Sequence, residues 1–292
     1  MAIHEFRAES VDTYSVKPLI KWAGGKRQIA PELFSRFPQD WHVGTYVEPF
    51  FGGGAVFLHI EPKKSIIADL NARLFGFYMY VKNKPDELHK GIFGISKEFN
   101  ATDESSKKNF YMALRLKYNE SPVDSFDSAV LLYALNKLCF NGLYRENSKG
   151  GFNVPFGQKK QLACMDMNEL KEVSEIFKTA TILNADFETT LSSVKAGDFV
   201  YLDPPYIPLA KTPSFTSYHS DGFGLKDQER LADAMLQLKS AGVKAMCSNS
   251  DTPLTRQIFS KLYLAEIEAP RMVSAKASGR GSVSELVITN YK

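Results

Sequence analysis

The chain has 292 residues, of which 44% are hydrophobic and 24% charged, near the averages of soluble globular proteins. That length suits a core with one inserted subdomain, and the composition argues against wholesale disorder. No apolar run approaches the roughly 18 residues of a membrane span, and a net charge of +3 is too small to name a nucleic-acid partner by itself.

Residues 1–16 read as a loose polar tail without the apolar stretch of a secretory signal, so a cytosolic protein is expected. After Gly24-Gly25-Lys26 a helical stretch is predicted through Ile29, Leu33 and Phe34. Thr45–Glu48 then reads as a buried strand that ends in the glycine turn Pro49–Gly54. Ala55–His59 opens a helix, and Ser65–Asp69 is a second short strand with a carboxylate at its end, which completes one βαβ unit. From about Asn71 to Asp166 the pattern changes to long aromatic-rich helices, at Phe75–Val81, Phe110–Tyr118 and Ala129–Phe140. They are followed by a loop with Asn141-Gly142, Gly150-Gly151 and Asn153–Gly157. Between Lys137 and Lys160 stand five basic residues against Glu146 alone, a local charge able to attract phosphates, although a solvated surface loop has the same composition. Strand-like runs return at Thr181–Asn184 and Asp198–Leu202. Helix and strand then alternate through Gln228–Leu238, Val243–Ser248, Thr255–Phe259 and Glu285–Thr289. The fold expected is α/β, with a core of residues 17–71 and 169–292 interrupted by a mostly helical insertion over 72–168.

Cys139, Cys164 and Cys247 are odd in number and far apart, and the five histidines include no pair at helical metal-binding spacing. A reducing compartment and no metal site are expected.

Two constellations carry chemistry. The first is Glu48-Pro49-Phe50-Phe51-Gly52-Gly53-Gly54 followed by Asp69. Glycines between a strand and a helix let the backbone and the helix N-terminus approach a ligand, and an acidic residue about 20 positions on suits ribose hydroxyls. Phe57 stands where a dinucleotide fingerprint would have its third glycine, which favours an adenosine cofactor without pyrophosphate; a turn of purely structural use is the alternative. The second is Asp203-Pro204-Pro205-Tyr206, directly after the apolar run Phe199–Leu202. A carboxylate at the end of a strand faces the crevice where open α/β sheets bind ligands, and prolines stiffen the turn and aim the carbonyls of Asp203 and Pro204 outward. This arrangement suits an exocyclic amino group on a purine. The lone pair of such a nitrogen is delocalised into the ring, and hydrogen bonds from its two N–H groups to Asp203 and a backbone carbonyl would localise it. Tyr206 would stack on a base taken out of the duplex. A plain surface turn at a strand end is the alternative.

With these motifs the chain resembles the Dam-type family (D12 class, alpha group) of DNA adenine-N6 methyltransferases, whose target is typically GATC. The resemblance covers nearly everything after residue 16. It rests on Leu19–Lys26, Val47–Phe57, Ala68–Asn71, Asn141–Arg145, Phe152–Gly157, Asp203–Tyr206 and Phe215–His219, with Phe152–Gly157 the most discriminating. It implies a Rossmann-like S-adenosylmethionine-dependent methyltransferase fold whose insertion is the target-recognition domain. It implies S-adenosyl-L-methionine contacts at Trp22 and Lys26, with Asp69 on the ribose and Asp186-Phe187 holding the adenine, beside the glycine-turn candidates Glu48, Phe50, Gly52 and Gly54. Asp203 matches the catalytic acid position, with Pro204 and Tyr206 beside it. Phe140 and Asn141 match a hairpin tip that enters the duplex. Leu143, Arg145 and Pro155 match base-reading positions, and Lys21 matches a lysine that reads the outer guanine. After Gly157 the chain has Gln158-Lys159-Lys160 where relatives can carry an arginine and an aromatic, which leaves Lys159 and Lys160 as candidate phosphate contacts.

The expected partners are double-stranded DNA and S-adenosyl-L-methionine, with no metal, no membrane and no obligate protein partner, in the cytoplasm of a bacterial or phage-infected cell. Rival readings are methylation of cytosine N4, RNA adenine N6 or a protein glutamine, and a catalytically inactive DNA-binding relative. Aspartate at the head of the tetrapeptide, the recognition insert and the intact Asp203, Tyr206, Lys26 and Asp69 argue against them.

Overall fold

The computed structural model describes residues 16–207, 223–270 and 282–292. The expected tail, but for its last residue, and the segments Phe215–His219 and Arg271–Arg280 lie outside these residues.

Among the described residues the strands are β1 (Tyr46–Glu48), β2 (Ser65–Ala68), β3 (Ala180–Leu183), β4 (Phe199–Leu202), β5 (Lys244–Ser250), β6 (Tyr263–Pro270) and β7 (Ser282–Thr289). They form one sheet in the order β3-β2-β1-β4-β5-β7-β6. The first five are mutually parallel, and β7 runs antiparallel to both β5 and β6. β1 and β4 are buried along their whole length, as strands covered on both faces must be, and this explains their nearly continuous apolar runs. β1 hydrogen-bonds to β2 on one side and to β4 on the other, with Val47 opposite Val200. Strand order reverses here, so the carboxyl ends of β1 and β4 flank the crevice in which such sheets bind ligands. The sheet is the Rossmann-like α/β sheet expected from the sequence.

Helices cover both faces. α1 (Ala30–Ser35) precedes β1, α2 (Ala55–Ile60) joins β1 to β2, α8 (Phe187–Leu191) follows β3, and α9 (Leu225–Ser240) and α10 (Pro253–Ile258) flank β5. Between β2 and β3 lie α3 (Ala72–Asn83), α4 (Pro85–Ala101), α5 (Lys107–Glu120), α6 (Phe126–Leu138) and α7 (Met167–Lys178). Their starts are set by local chemistry. The Asn71, Ser125 and Asp166 side chains accept backbone N–H groups at the N-termini of α3, α6 and α7, and Pro85 occupies the first turn of α4. α6 is apolar around nearly its whole circumference because α3, α4 and α5 all pack on it.

The helical segment has no core of its own. Leu131, Leu135 and Phe99 belong to one continuous apolar cluster with Tyr46, Phe57, Phe199 and Tyr201 of the sheet region. A second cluster, on the other face, joins Val47, Val200 and Leu202 to Leu231, Met235 and Ile288. α3 ties the layers together: the Tyr78 hydroxyl donates to the Gly52 carbonyl at 2.7 Å, and the Lys82 ammonium to the Ala180 carbonyl at 2.6 Å. No helix among the described residues is long and apolar enough to cross a membrane.

A shared core predicts shared unfolding. Leu135, 1% exposed, should cost about 2–5 kcal/mol when cut to alanine. Denaturant melts followed by tryptophan fluorescence, to which Trp41 beside Phe37 and Tyr46 of the sheet region contributes, and by far-UV circular dichroism should move together in a single transition. A variant in which only one signal moves would mean that the helices unfold apart from the sheet.

Candidate functional site

The carboxyl ends of β1, β2 and β4 open into one cavity of about 960 Å³. Trp22, Lys26, Glu48, Phe50, Gly52, Gly54, Asp69, Asp186, Phe187, Asp203, Pro204 and Tyr206 all line it. Residues drawn from segments more than 180 positions apart are thus brought to a single wall.

The glycine turn does less for a ligand, and more for the protein, than its composition suggests. Gly52 and Gly54 take positive φ angles of 49° and 68°. A Cβ on Gly52 would lie 2.7 Å from Trp22 Cδ1, and one on Gly54 would lie 2.4 Å from Phe51 Cζ. Both glycines therefore make room for aromatic side chains of the chain itself, as well as bending the backbone sharply enough to turn β1 into α2. Asp69, at the end of β2, is tied into the same turn. Its carboxylate accepts the N–H of Gly52 and that of Asn71, each at 2.9 Å. Burial raises its pKa, opposed by those two hydrogen bonds. A carboxylate held so firmly at the rim presents its remaining lone pairs in a fixed direction, which is what ribose hydroxyls require.

On the opposite wall Phe50 stacks on Phe187 with centroids 5.5 Å apart, and Phe223 meets both rings edge-on. Asp186 caps α8 through the N–H of Glu188, and the Arg230 guanidinium lies 3.4 Å from it and over the Phe187 ring. A flat apolar slot bordered by a carboxylate suits a purine. The flat apolar surface, the fixed Asp69 carboxylate and the Asp203 carboxylate together fit a cationic adenosine derivative such as S-adenosylmethionine.

Asp203 sits at the tip of β4. The Lys26 ammonium approaches its Oδ1 to 3.0 Å, donates to the Gly24 carbonyl at 2.7 Å and lies 4.4 Å from the centre of the Tyr206 ring. Burial raises the pKa of Asp203, the Lys26 charge opposes the rise, and the charge of Glu285 adds to it. The Tyr206 hydroxyl donates to Glu285 Oε2 at 2.8 Å, which fixes the ring plane. Behind the turn two buried amides hold its course. Gln228 donates to the Pro205 carbonyl at 2.8 Å and accepts from Asn249 at 3.0 Å, while Asn249 Oδ1 accepts the Ile207 N–H at 3.4 Å. Glu48 lies deeper. Burial pushes its carboxyl up to about 8, opposed by a 2.6 Å hydrogen bond from the Tyr46 hydroxyl and helped by the charge of Asp203.

The residues expected to meet DNA lie outside the cavity wall. Phe140 is 52% exposed, and Asn141 takes a left-handed φ of 55° beside it. Phe140 N–H donates to the Pro155 carbonyl at 2.9 Å, and the Lys21 side chain lies against Gly142, so Lys21, Phe140, Asn141, Leu143 and Pro155 share one edge. Phe140 is therefore not the continuation of a buried helical face: α6 ends at Leu138. Arg145 is exposed and braced by Asn153 Oδ1 at 2.6 Å. Lys159 and Lys160 are exposed beyond Gly157. The two regions adjoin. Glu146 and Gly150 of the loop also line the cavity, and Trp22 stacks on Tyr144 with centroids 5.3 Å apart.

Glu285, Gln228, Asn249 and Tyr144 were not visible as site residues in the sequence. The one hint is Glu285, a carboxylate directly before the apolar run Leu286–Ile288 of β7.

The family of D12 class N6 adenine-specific DNA methyltransferases matches residues 22–273 of the chain. The type II methyltransferase M.MjaIII of Methanocaldococcus jannaschii is 41% identical over 290 residues, covering 94% of this chain and 99% of the relative. The type II methyltransferase M1.LlaDCHI of Lactococcus lactis subsp. cremoris is 38% identical over 283 residues, covering 95% and 96%. A DNA adenine methylase of Vibrio cholerae is 36% identical over 272 residues, covering 93% and 95%.

The Glu48 carboxyl gives the site a testable pH signature. Its folded pKa of about 8 exceeds the ordinary 4.5, so between these values the folded chain keeps a proton that the unfolded chain releases. Stability therefore falls as pH rises through that window. Glu48→Gln keeps an acceptor for Tyr46 and is neutral throughout. Its melting temperature, measured without cofactor, should gain on wild type steadily from about pH 5 to about pH 8. A difference that stays constant across that range would show Glu48 to be ionised in the fold.

Proposed function

The chain belongs to the D12 class N6 adenine-specific DNA methyltransferases, whose methyl donor is S-adenosylmethionine, and from that premise we propose how it acts. It takes an adenine out of duplex DNA, within GATC, and methylates N6 in the cavity beside Asp203. The observation that carries this reading is the convergence of Asp203, Pro204, Tyr206 and Lys26 on the cavity that also holds the Asp69 and Phe50–Phe187 walls.

S-adenosylmethionine supplies an electrophilic methyl group on a sulfonium. The chain's own residues prepare the nucleophile. One N6 hydrogen bonds to the Asp203 carboxylate and the other to the Pro204 carbonyl, which draws the lone pair out of the ring and onto nitrogen. As the N6–methyl bond forms, the carbon–sulfur bond breaks and nitrogen becomes positive. The proton it sheds passes to Asp203, whose burial makes it a stronger base than an exposed carboxylate. Lys26 keeps Asp203 ionised until then and shields one face of Tyr206. Tyr206 stacks on the base. Asp69 receives the ribose hydroxyls, Asp186 and Phe187 the adenine of the donor, and Trp22, Glu48, Phe50, Gly52 and Gly54 complete that wall.

Residues 72–168 act as the recognition domain. Phe140 and Asn141 occupy the gap left by the flipped base, offsetting a few kcal/mol of lost stacking and pairing. Lys21 and Arg145 donate to guanine O6 and N7, Leu143 and Pro155 meet the neighbouring pairs, and Lys159 and Lys160 meet phosphates. The GATC assignment rests on the match of these residues to the family's base-reading positions. The exposure of the Phe140 tip and the bracing of Arg145 favour it. The reaction takes place in the cytoplasm, on the cell's own or invading DNA.

Two variants test the reading. Asp203→Ala should lower methyl transfer, per molecule of protein shown to be folded by circular dichroism, roughly a hundredfold to a thousandfold. Turnover above about a tenth of wild type would move the chemistry elsewhere. Arg145→Ala should relax the target at one guanine, at about 1–3 kcal/mol of discrimination. Sequencing of methylated plasmid decides this, and full stringency at every position would make Arg145 a structural or phosphate residue.

A further inference from the structure

Lys21 has a place in the molecule that its own segment does not explain. It lies in irregular backbone before α1, pairs with no strand, and comes from the first part of the chain, 115 residues away from α6. Yet it is held on both sides. Asn136, in the last turn of α6 and 4% exposed, accepts the Lys21 N–H on Oδ1 at 2.8 Å and donates Nδ2 to the Lys21 carbonyl at 2.7 Å. The same Nδ2 donates to the Gly142 carbonyl at 3.2 Å. An asparagine amide offers one carbonyl acceptor and two N–H donors, so both ends of the group are engaged, and it pairs with Lys21 as a neighbouring strand would. The Lys21 side chain then crosses Gly142. That glycine has φ +67°, and a Cβ on it would lie 2.6 Å from Lys21 Cδ.

We propose that Asn136 is a positioning residue for target reading. It locks the Lys21 backbone to the Phe140–Gly142 turn, so that the reader of the outer guanine and the tip that enters the duplex keep one fixed spacing. The inference rests on the reading of Lys21 as a base contact. α6 is the right anchor for such a clamp because it is buried on nearly every side and ends two residues after Asn136. The clamp matters because a misplaced donor loses its hydrogen bond: N–H···O geometry tolerates only a few tenths of an ångström. A lysine on free backbone would still attract DNA through its charge, but it would distinguish guanine poorly. Asn136 itself touches neither base nor cofactor.

The test uses the whole protein, S-adenosylmethionine, and two duplexes, one carrying the intact site and one with the outer guanine replaced by adenine. Discrimination is the ratio of kcat/KM on the two. Asn136→Asp keeps size and the acceptor for Lys21 N–H, but sets an oxygen against the Lys21 and Gly142 carbonyls; Asn136→Ala removes the clamp. Binding of S-adenosylhomocysteine, the demethylated cofactor, reports an intact fold, and it should stay within about twofold of wild type for Asn136→Asp. Discrimination should fall about tenfold in Asn136→Asp, the order of one good base contact. In a Lys21→Ala background, where that contact is already gone, Asn136→Asp should change it less than about twofold.

Three results would overturn the proposal, and they can be told apart. If wild type does not discriminate at the outer base, or Lys21→Ala leaves discrimination unchanged, the reading of Lys21 fails and the clamp with it. If Lys21→Ala abolishes discrimination but both Asn136 variants keep it, Lys21 reads the base without Asn136. If the Asn136 variants lose discrimination equally with and without Lys21, Asn136 supports the fold at large rather than Lys21.

Discussion

The arrangement at the active end of the sheet depends on one buried ion pair, Lys26 with Asp203. A carboxylate at the tip of a central parallel strand is surrounded by apolar strand ends and by the negative charge of Glu285, both of which favour its protonated form. A protonated Asp203 would be a hydrogen-bond donor on one oxygen and a poor acceptor of a proton from adenine. Lys26, 4% exposed and anchored on the Gly24 carbonyl, opposes that tendency from 3.0 Å away. In the proposed mechanism the Gly24-Gly25-Lys26 segment belongs to the catalytic apparatus as well as leading into α1. Breaking such a pair costs more than the pair itself contributes, since the remaining charge is left buried and uncompensated.

Around the pair the protein keeps its polar groups occupied. Tyr46 serves Glu48, Gln228 and Asn249 serve the Pro205–Ile207 backbone, and Glu285 serves Tyr206. These side chains fix a turn that two prolines alone would only stiffen. The cavity also adjoins the edge that carries Lys21 and Phe140. Trp22 is stacked on Tyr144, one residue from Arg145, and Lys21, next to Trp22, is clamped to the Phe140–Gly142 turn. The proposed cofactor wall and the proposed recognition edge therefore meet at adjacent residues of a single short segment, and one apolar core runs beneath both.

How much of this could be read from the chain divides along the range of the interactions. The Asp203–Tyr206 turn was legible because an apolar strand and its terminal carboxylate are local patterns, as was the Glu48–Gly54 turn with Asp69 behind it. Helices α3, α5 and α6 showed themselves through their buried aromatic and aliphatic residues. β6 did not: it is an edge strand whose Tyr263, Glu266 and Glu268 dilute the apolar signal. The role of the glycines was only half legible, because the rings that fill the space at Gly52 and Gly54 could not be foreseen. The Lys26–Asp203 pair, the Gln228–Asn249 relay and the Asn136 clamp were hidden for a common reason. The Gln228–Asn249, Lys21–Asn136 and Lys26–Asp203 contacts join residues 21, 115 and 177 positions apart, and only the topology of the sheet and its helical layer brings them together.

The central claim is that Lys26 keeps Asp203 ionised for methyl transfer, and a pH profile tests it most directly. Single-turnover methylation of a cognate duplex, at saturating S-adenosylmethionine, should rise with pH as Asp203 ionises. In Lys26→Gln the opposing charge is gone, so the acid limb should move to higher pH, with part of the rate recovered in alkaline buffer. An acid limb at the same pH in both proteins would contradict the account, and the role of Lys26 would then have to be sought in binding alone.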